Sequence, residues 1–180
     1  MSQITSYISQ YDIQEKVEEL GKRITDYYGE TSVSDTNPLM VLVILKGSTI
    51  FFADLVRRLK LPVTVEFISI SSYGNDMESS GEVRFELDTR QPMTGRHVLI
   101  VEDIIDTGNS LNAVVNLLRG RNPESLQIVC LLDKPSRRKT WVDVFWTGFK
   151  IEDKFVIGYG LDYAERYREL PYIGILQLEQ

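Results

Sequence analysis

Cysteine and histidine are nearly absent from this chain of 180 residues, which carries one of each, Cys130 and His97. A lone cysteine excludes a disulfide framework and fits a reducing, cytoplasmic setting. Within the apolar stretch LQIVCLL it reads as a small buried hydrophobe rather than a nucleophile. A lone histidine argues against a catalytic triad and against a histidine-based metal site. Basic side chains are the minority, 20 against 26 acidic, for a net charge of −6. No nucleic-acid partner is therefore expected, although a local basic pocket for a small anion stays open. No apolar run approaches the length of a membrane span, and MSQITSYISQ lacks the basic-then-apolar form of a signal peptide, so no membrane partner is expected either. Repeats, low-complexity tracts and linkers are also missing. A Walker loop does not occur, and the dinucleotide fingerprint suggested by Gly158-Tyr159-Gly160 fails at Tyr163.

What is present suits one compact soluble domain, with 43% apolar and 26% charged residues. Ile13, Val17, Leu20 and Ile24 recur at spacings of four, three and four, one face of an amphipathic helix ending near Gly29. LMVLVIL (39–45) reads as a strand covered on both faces, followed by helical spacing through KGSTIFFADLVRRL. VTVEFISIS (63–71) is strand-like, SYGNDMESSGE is a polar loop, and VRFEL (83–87) can return as a strand. VLIVED leads into a helix carrying Leu111, Val114, Val115 and Leu118, and LQIVCLL (126–132) is another buried strand, ended by Asp133-Lys134-Pro135. KFVIGYG (154–160) and YIGILQL (172–178) supply late strands. Strands alternating with helices predict an α/β fold with a mostly parallel central sheet.

In such sheets, ligands gather beyond the carboxyl ends of the strands. The polar groups of this chain fall there: Lys46-Gly47, Ser72-Tyr73, Glu102-Asp103 and Asp133-Lys134. In HVLIVEDIIDTGNSL (97–111), an apolar strand runs into two adjacent carboxylates and then a third, Asp106. Burying such acids unpaired is costly, so they must face something polar. Asp106-Thr107-Gly108-Asn109-Ser110 precedes a helix and offers an anion cradle of backbone N–H groups. The plain alternative is that Asn109 or Ser110 caps that helix. A phosphate cradle beside a carboxylate pair suits a ribose phosphate, whose hydroxyls the acids would accept, with Mg²⁺ held directly or through water.

VLIVEDIIDTGNSL resembles the phosphoribosyl-pyrophosphate motif of type I phosphoribosyltransferases. Together with LKGSTIFFADL, ISISSYG, LLDKPSRR and KFVIGYGLDYAERYR, it resembles the hypoxanthine-guanine branch, bacterial members above all. The matches run in order from about residue 39 to 175. The resemblance implies one phosphoribosyltransferase domain over 1–180, with a hood from about 1–12 and 150–180 and a flexible lid loop. It implies a purine-salvage enzyme that moves the phosphoribosyl group of phosphoribosyl pyrophosphate to hypoxanthine or guanine, giving IMP or GMP and pyrophosphate. Mg²⁺ is the implied cofactor, and a homodimer or homotetramer the implied assembly.

By the same resemblance, Glu102 and Asp103 hold the ribose hydroxyls and, with Asp162, the metal. Asp106 is the general acid/base, or else acts through its charge or as a helix cap. Asp106, Thr107, Gly108, Asn109 and Ser110 hold the 5′-phosphate; some relatives carry Lys-Thr at Asn109-Ser110, so a cation is missing here. Lys46, Gly47 and Arg168 bind pyrophosphate, with Arg166 a close competitor for the last role and a non-proline cis peptide common at the Lys46 loop. Lys134 donates to the purine 6-oxo group, Phe155 stacks on the base, Val156 offers backbone groups, and Asp162 lies near the purine. The plain alternatives are solvated lysines at Lys46 and Lys134, a core role for Phe155, and a helix cap at Asp162. Ser72 and Tyr73 belong to the lid, which spans Ser72 to Gly81. Two rivals remain from sequence: a regulatory protein using the same cradle without catalysis, and a transferase for another base such as xanthine, adenine or orotate.

Overall fold

The computed structural model describes residues 3–72 and 83–177. Its centre is a six-stranded sheet in the order β4-β3-β2-β5-β6-β7. A smaller sheet packs at one end. The chain begins with β1 (Gln3–Ile8), which belongs to that smaller sheet, and continues into α1 (Gln10–Gly29). The start of α1 is fixed by Ser9, whose hydroxyl accepts the Asp12 N–H at 3.1 Å. Ile13, Val17, Leu20, Ile24 and Tyr28 form its buried stripe, as the four-three-four spacing predicts.

Next come β2 (Leu39–Leu45), α2 (Thr49–Val56), β3 (Val63–Ser72) and β4 (Val83–Leu87). β5 (His97–Ile105), α3 (Asn109–Arg119), β6 (Ser125–Asp133) and β7 (Trp146–Lys150) complete the central unit. β2, β3, β5, β6 and β7 pair in parallel, while β4 returns antiparallel on β3. β2 and β5 sit at the middle, and β2 throughout and β5 over Val98–Val101 are apolar because both their faces are covered. Leu39, Val41, Leu99 and Val101 pack with α1 and α2 on one face. Met40, Leu42, Val98 and Ile100 pack with α3 on the other. His97 is a core residue, its ring nitrogens 2.7 Å from Ser125 Oγ and 2.9 Å from Ser32 Oγ. Cys130 is fully buried, and burial pushes its thiol up to about 12, which leaves it unreactive.

The smaller sheet has the order β1-β9-β8, with β8 (Val156–Ile157) and β9 (Ile173–Gln177) antiparallel. Two features of the fold differ from the sequence reading. KFVIGYG is a strand only over Val156–Ile157, because Gly158 and Gly160 adopt φ of +93° and +100° and turn the chain away. β1 and β7 were not expected: QITSYI is mostly exposed and lacks a clean alternation, and WTGFK is five residues interrupted by a glycine.

Candidate active site

The parallel order puts the carboxyl ends of β2, β5 and β6 side by side. The segment between β8 and β9 folds over them. Between the two lies a cavity of about 540 Å³. Lys46, Gly47, Asp103, Asp106, Lys134, Phe155, Val156, Asp162 and Arg168 all line it. Ser69, Glu86 and Glu165 add further polar groups to its wall.

Asp103 is the most constrained of the acids. Alternation along β5 continues the row of Leu99 and Val101 into Asp103, and that of Val98 and Ile100 into Glu102. The two carboxylates therefore leave opposite faces of the strand, and only Asp103 reaches the cavity wall. It abuts Gly47 so closely that a Cβ there would fall 1.6 Å from its Oδ2. Only glycine fits that position. Burial raises the Asp103 carboxyl from 3.8 to about 6, against the Ile104 N–H that donates to its Oδ1 at 2.7 Å. The Glu102 carboxyl is pushed well above its usual range by burial first and by the Asp103 charge second. Among the described residues, no group of three or more His, Cys, Asp or Glu side chains converges as a metal site. A divalent cation near Asp103 and Asp162 would thus draw most of its ligands from substrate oxygens and water, as Mg²⁺ commonly does.

Beyond β5, Gly108 sits at the N-cap of α3 with φ +82° and supplies no side-chain cap. The plain capping role considered for Asn109 and Ser110 is thereby replaced: both lie inside the first turn. Asn112 N–H donates to Gly108 carbonyl at 2.9 Å, so the amides of the first turn stay outside the helix ladder. Thr107 Oγ1 meets the Asn109 N–H at 3.4 Å, and Thr140 donates its hydroxyl to Asn109 Oδ1 at 2.6 Å. Lys139 and Thr140 amides both donate to the Thr107 carbonyl. Arg138 donates to the Asp106 carbonyl at 3.1 Å and pairs with Asp133. These contacts shape a turn of exposed N–H groups ringed by cations from the segment after β6.

Asp106 Oδ1 accepts from Arg137 Nε at 3.0 Å. Lys134 is buried at 7% exposure, which removes the solvated-lysine alternative, and its Nζ lies 3.7 Å from Asp153. Phe155 is 48% exposed and meets Tyr163 edge-on at 5.6 Å, so it is not core. Val156 is on β8, an edge of the smaller sheet.

At the other end, the Leu45–Lys46 peptide is cis. Gly160 packs on the Gly47 carbonyl, 2.0 Å from where its Cβ would be. Tyr159 fixes this approach by donating its hydroxyl to Asp54 on α2 at 2.6 Å. Arg168 donates to the Gly160 carbonyl at 2.7 Å and pairs with Asp162 at 2.8 Å. Arg168 lines the cavity and Arg166 does not. Asp162 caps no helix: Ala164, Glu165 and Tyr167 have φ of +51°, +61° and +77° in a chain of turns.

Glu102 and the Thr107–Ser110 turn flank the cavity rather than line it. Ser72 ends β3, while Tyr73 and the polar loop to Gly81 lie outside the described residues. Arg137, Arg138, Asp153 and Glu165 were not singled out from sequence. The only signal for the first two was the basic run PSRRK after Pro135.

A family model described as a phosphoribosyl transferase domain matches residues 8–164. The chain is 49% identical over 173 residues to the hypoxanthine phosphoribosyltransferase of Haemophilus influenzae, covering 96% of this chain and 95% of that one. It is also 49% identical over 170 residues to the hypoxanthine-guanine phosphoribosyltransferase of Bacillus subtilis, covering 94% and 91%. Among solved structures, the hypoxanthine phosphoribosyltransferase of Trypanosoma cruzi in complex with the product IMP superposes with a TM-score of 0.90 at 44% identity, covering 96% of this chain and 93% of that one.

Proposed function

The chain belongs to the phosphoribosyl transferase family, and we propose that it transfers the phosphoribosyl group of phosphoribosyl pyrophosphate to hypoxanthine, and to guanine, in purine salvage. The observation that carries this reading is one cavity lined by a half-buried carboxylate, a cation pair, a buried lysine and an exposed aromatic ring, with a helix N-terminus beside it.

Each part serves a different section of the two substrates. The amides of Thr107 to Ser110 and the positive end of α3 bind the 5′-phosphate. Arg138 lies beside this turn, its Nη1 3.4 Å from the Gly108 Cβ direction, and supplies positive charge where Asn109 replaces a lysine. Asp103, with Glu102 behind it, accepts the ribose hydroxyls. Asp103 and Asp162, with Glu102 behind them, would hold Mg²⁺ together with water and substrate oxygens, and the ion would supply charge neutralisation for the pyrophosphate leaving group. Lys46, the Gly47 amide and Arg168 hold the departing pyrophosphate.

At the purine end, Phe155 stacks on the ring and Lys134 donates to the 6-oxo group. A 6-amino group would face this donor with another donor, leaving both unpaired. As the sugar–pyrophosphate bond breaks, positive charge develops on the ribose. The new bond forms from a purine ring nitrogen, whose proton passes to Asp106 Oδ. Asp106 must first part from Arg137, an exchange made cheap by the exposure of both side chains. The active form is a homodimer or homotetramer.

A spectrophotometric assay with hypoxanthine, phosphoribosyl pyrophosphate and Mg²⁺, repeated with guanine, xanthine, adenine and orotate, tests the reaction and its selectivity together. IMP formation with little reaction of adenine is expected. No nucleotide from any base would instead favour a regulatory protein that uses the cradle without catalysis.

A further inference from the structure

Two cations face the pyrophosphate end of the cavity, and neither is free. Lys46 Nζ lies 3.3 Å from Glu165 Oε2. Arg168 Nη2 lies 3.5 Å from both Glu165 carboxylate oxygens and 2.8 Å from Asp162 Oδ1. Two positive side chains thus meet two negative ones where a highly charged anion has to bind.

The two carboxylates are not equivalent. Asp162 is 29% exposed and makes the short contact to Arg168, while its other oxygen accepts the Glu165 N–H at 2.9 Å. It is tied into the turn. Glu165 is 68% exposed and touches both cations at the long end of ion-pair range. Among the described residues, it alone bridges Lys46, just after β2, to Arg168, in the segment between β8 and β9. Its backbone, at φ +61°, is held by the bond to Asp162, so the side chain can leave without disturbing the turn.

We infer that Glu165 is an internal stand-in for the leaving group: its carboxylate holds Lys46 and Arg168 together when the site is empty, yields them to pyrophosphate, and returns as pyrophosphate departs. Glu165 is a positioning residue acting through the two cations, and this role rests on the pyrophosphate site assigned above. An anion enters only if it binds the cation pair better than a tethered carboxylate does. Magnesium pyrophosphate does so through many oxygens, whereas a lone small anion gains little. The same competition hastens product release, because the displacing group never leaves the site.

The consequence is a signed prediction. Glu165→Gln keeps the side-chain length and the backbone bond to Asp162 but removes the competing charge. Two exposed ion pairs of this kind correspond to about a two- to ten-fold gain in pyrophosphate affinity. The gain should shrink as salt is raised, because exposed charges are screened. The inhibition constant of magnesium pyrophosphate against phosphoribosyl pyrophosphate should fall by that factor, with the hypoxanthine KM moving much less. Calorimetric titration of magnesium pyrophosphate into the full chain gives the same comparison without turnover. In a Lys46→Met background, the effect of Glu165→Gln should be smaller, since one of its two partners is gone.

Unchanged or weaker pyrophosphate binding in Glu165→Gln at low salt would overturn the inference, as would a full-sized effect in the Lys46→Met background. A wild-type chain that binds pyrophosphate but forms no nucleotide would strike at the proposed reaction instead, leaving the ion-pair competition to be judged by titration alone.

Discussion

Asp103 offers the sharpest separation of what function needs from what folding prefers. Its carboxyl is raised from 3.8 to about 6 because loss of hydration there outweighs the Ile104 N–H and the Arg168 charge. A carboxylate whose folded-state value lies above its unfolded one binds its proton more tightly when folded. Its contribution to stability is therefore full below about pH 3.8, falls as pH rises toward 6, and is entirely lost above. At about 1.4 kcal/mol per pH unit, the span from 3.8 to about 6 corresponds to ~3 kcal/mol between the charged and neutral forms. Asp103→Asn removes the charge and keeps an Oδ1 to accept the Ile104 N–H. Its new amide still needs a partner, which lowers the return to about 1–2 kcal/mol at pH 8. For a chain of this length, that raises the ligand-free Tm by about 3–8 °C. Thermal denaturation of wild type and variant between pH 4 and 8 measures it. The variant should gain at pH 8, with the two curves converging toward pH 4, while its binding of magnesium phosphoribosyl pyrophosphate weakens. A variant that is less stable at pH 8, or equally favoured at every pH, would show that the buried charge is compensated by something other than a bound cation.

Asp106→Asn should lower turnover by ~10²–10⁴-fold if Asp106 takes the purine proton, with equilibrium binding of phosphoribosyl pyrophosphate largely intact; unchanged turnover would remove it from the mechanism. Lys134→Met should raise the hypoxanthine KM by about 10–100-fold, the worth of one charged hydrogen bond, and narrow the margin over adenine; base-by-base kinetics read both. Gly108→Ala places a Cβ 2.3 Å from the Thr140 carbonyl at φ +82°, so stability should fall by at least about 1–2 kcal/mol in denaturant melts, with 5′-phosphate binding weakened as the turn shifts.

The sequence spoke most clearly where both faces of an element are buried or where one stripe is. LMVLVIL and HVLIV could only be central strands, and the stripe from Ile13 to Ile24 only a surface helix, because burial imposes a period that composition records. From those elements the crevice followed, since parallel strands align their carboxyl ends and the acids at 102, 103 and 106 all fall there. β1 and β7 escaped notice for the converse reason. Each borrows its place from neighbours: β1 from register with β9, and β7 from β6 at the sheet edge. Neither has a period of its own. KFVIGYG misled in the other direction, its apolar residues suggesting a strand that two left-handed glycines cut to Val156–Ile157.

The same division runs through the site. Residues whose chemistry depends on their position along one strand or turn were legible: Asp103 after an apolar run, Gly108 before a helix, Lys134 before Pro135. Pairings between distant segments were not. Nothing in the sequence joins Lys46 to Glu165, 119 residues apart, or Asp106 to Arg137, 31 apart, because an ion pair leaves no periodic trace. Those two pairs matter in the same way. In each, a group assigned to substrate is occupied by a partner of opposite charge on an exposed, weakly held side chain. An empty site built with naked charges would pay their mutual repulsion or desolvation continually; one built with exposed partners pays only a weak contact, once, on binding. Asp103 is not treated so: among the described residues it forms no ion pair, the Arg168 charge only partly offsets its loss of hydration, and its raised carboxyl is the residue of that unmet need. The site thus sets two different thresholds: cations that exchange one anion for another, and a carboxylate that waits for a cation to arrive with the substrate.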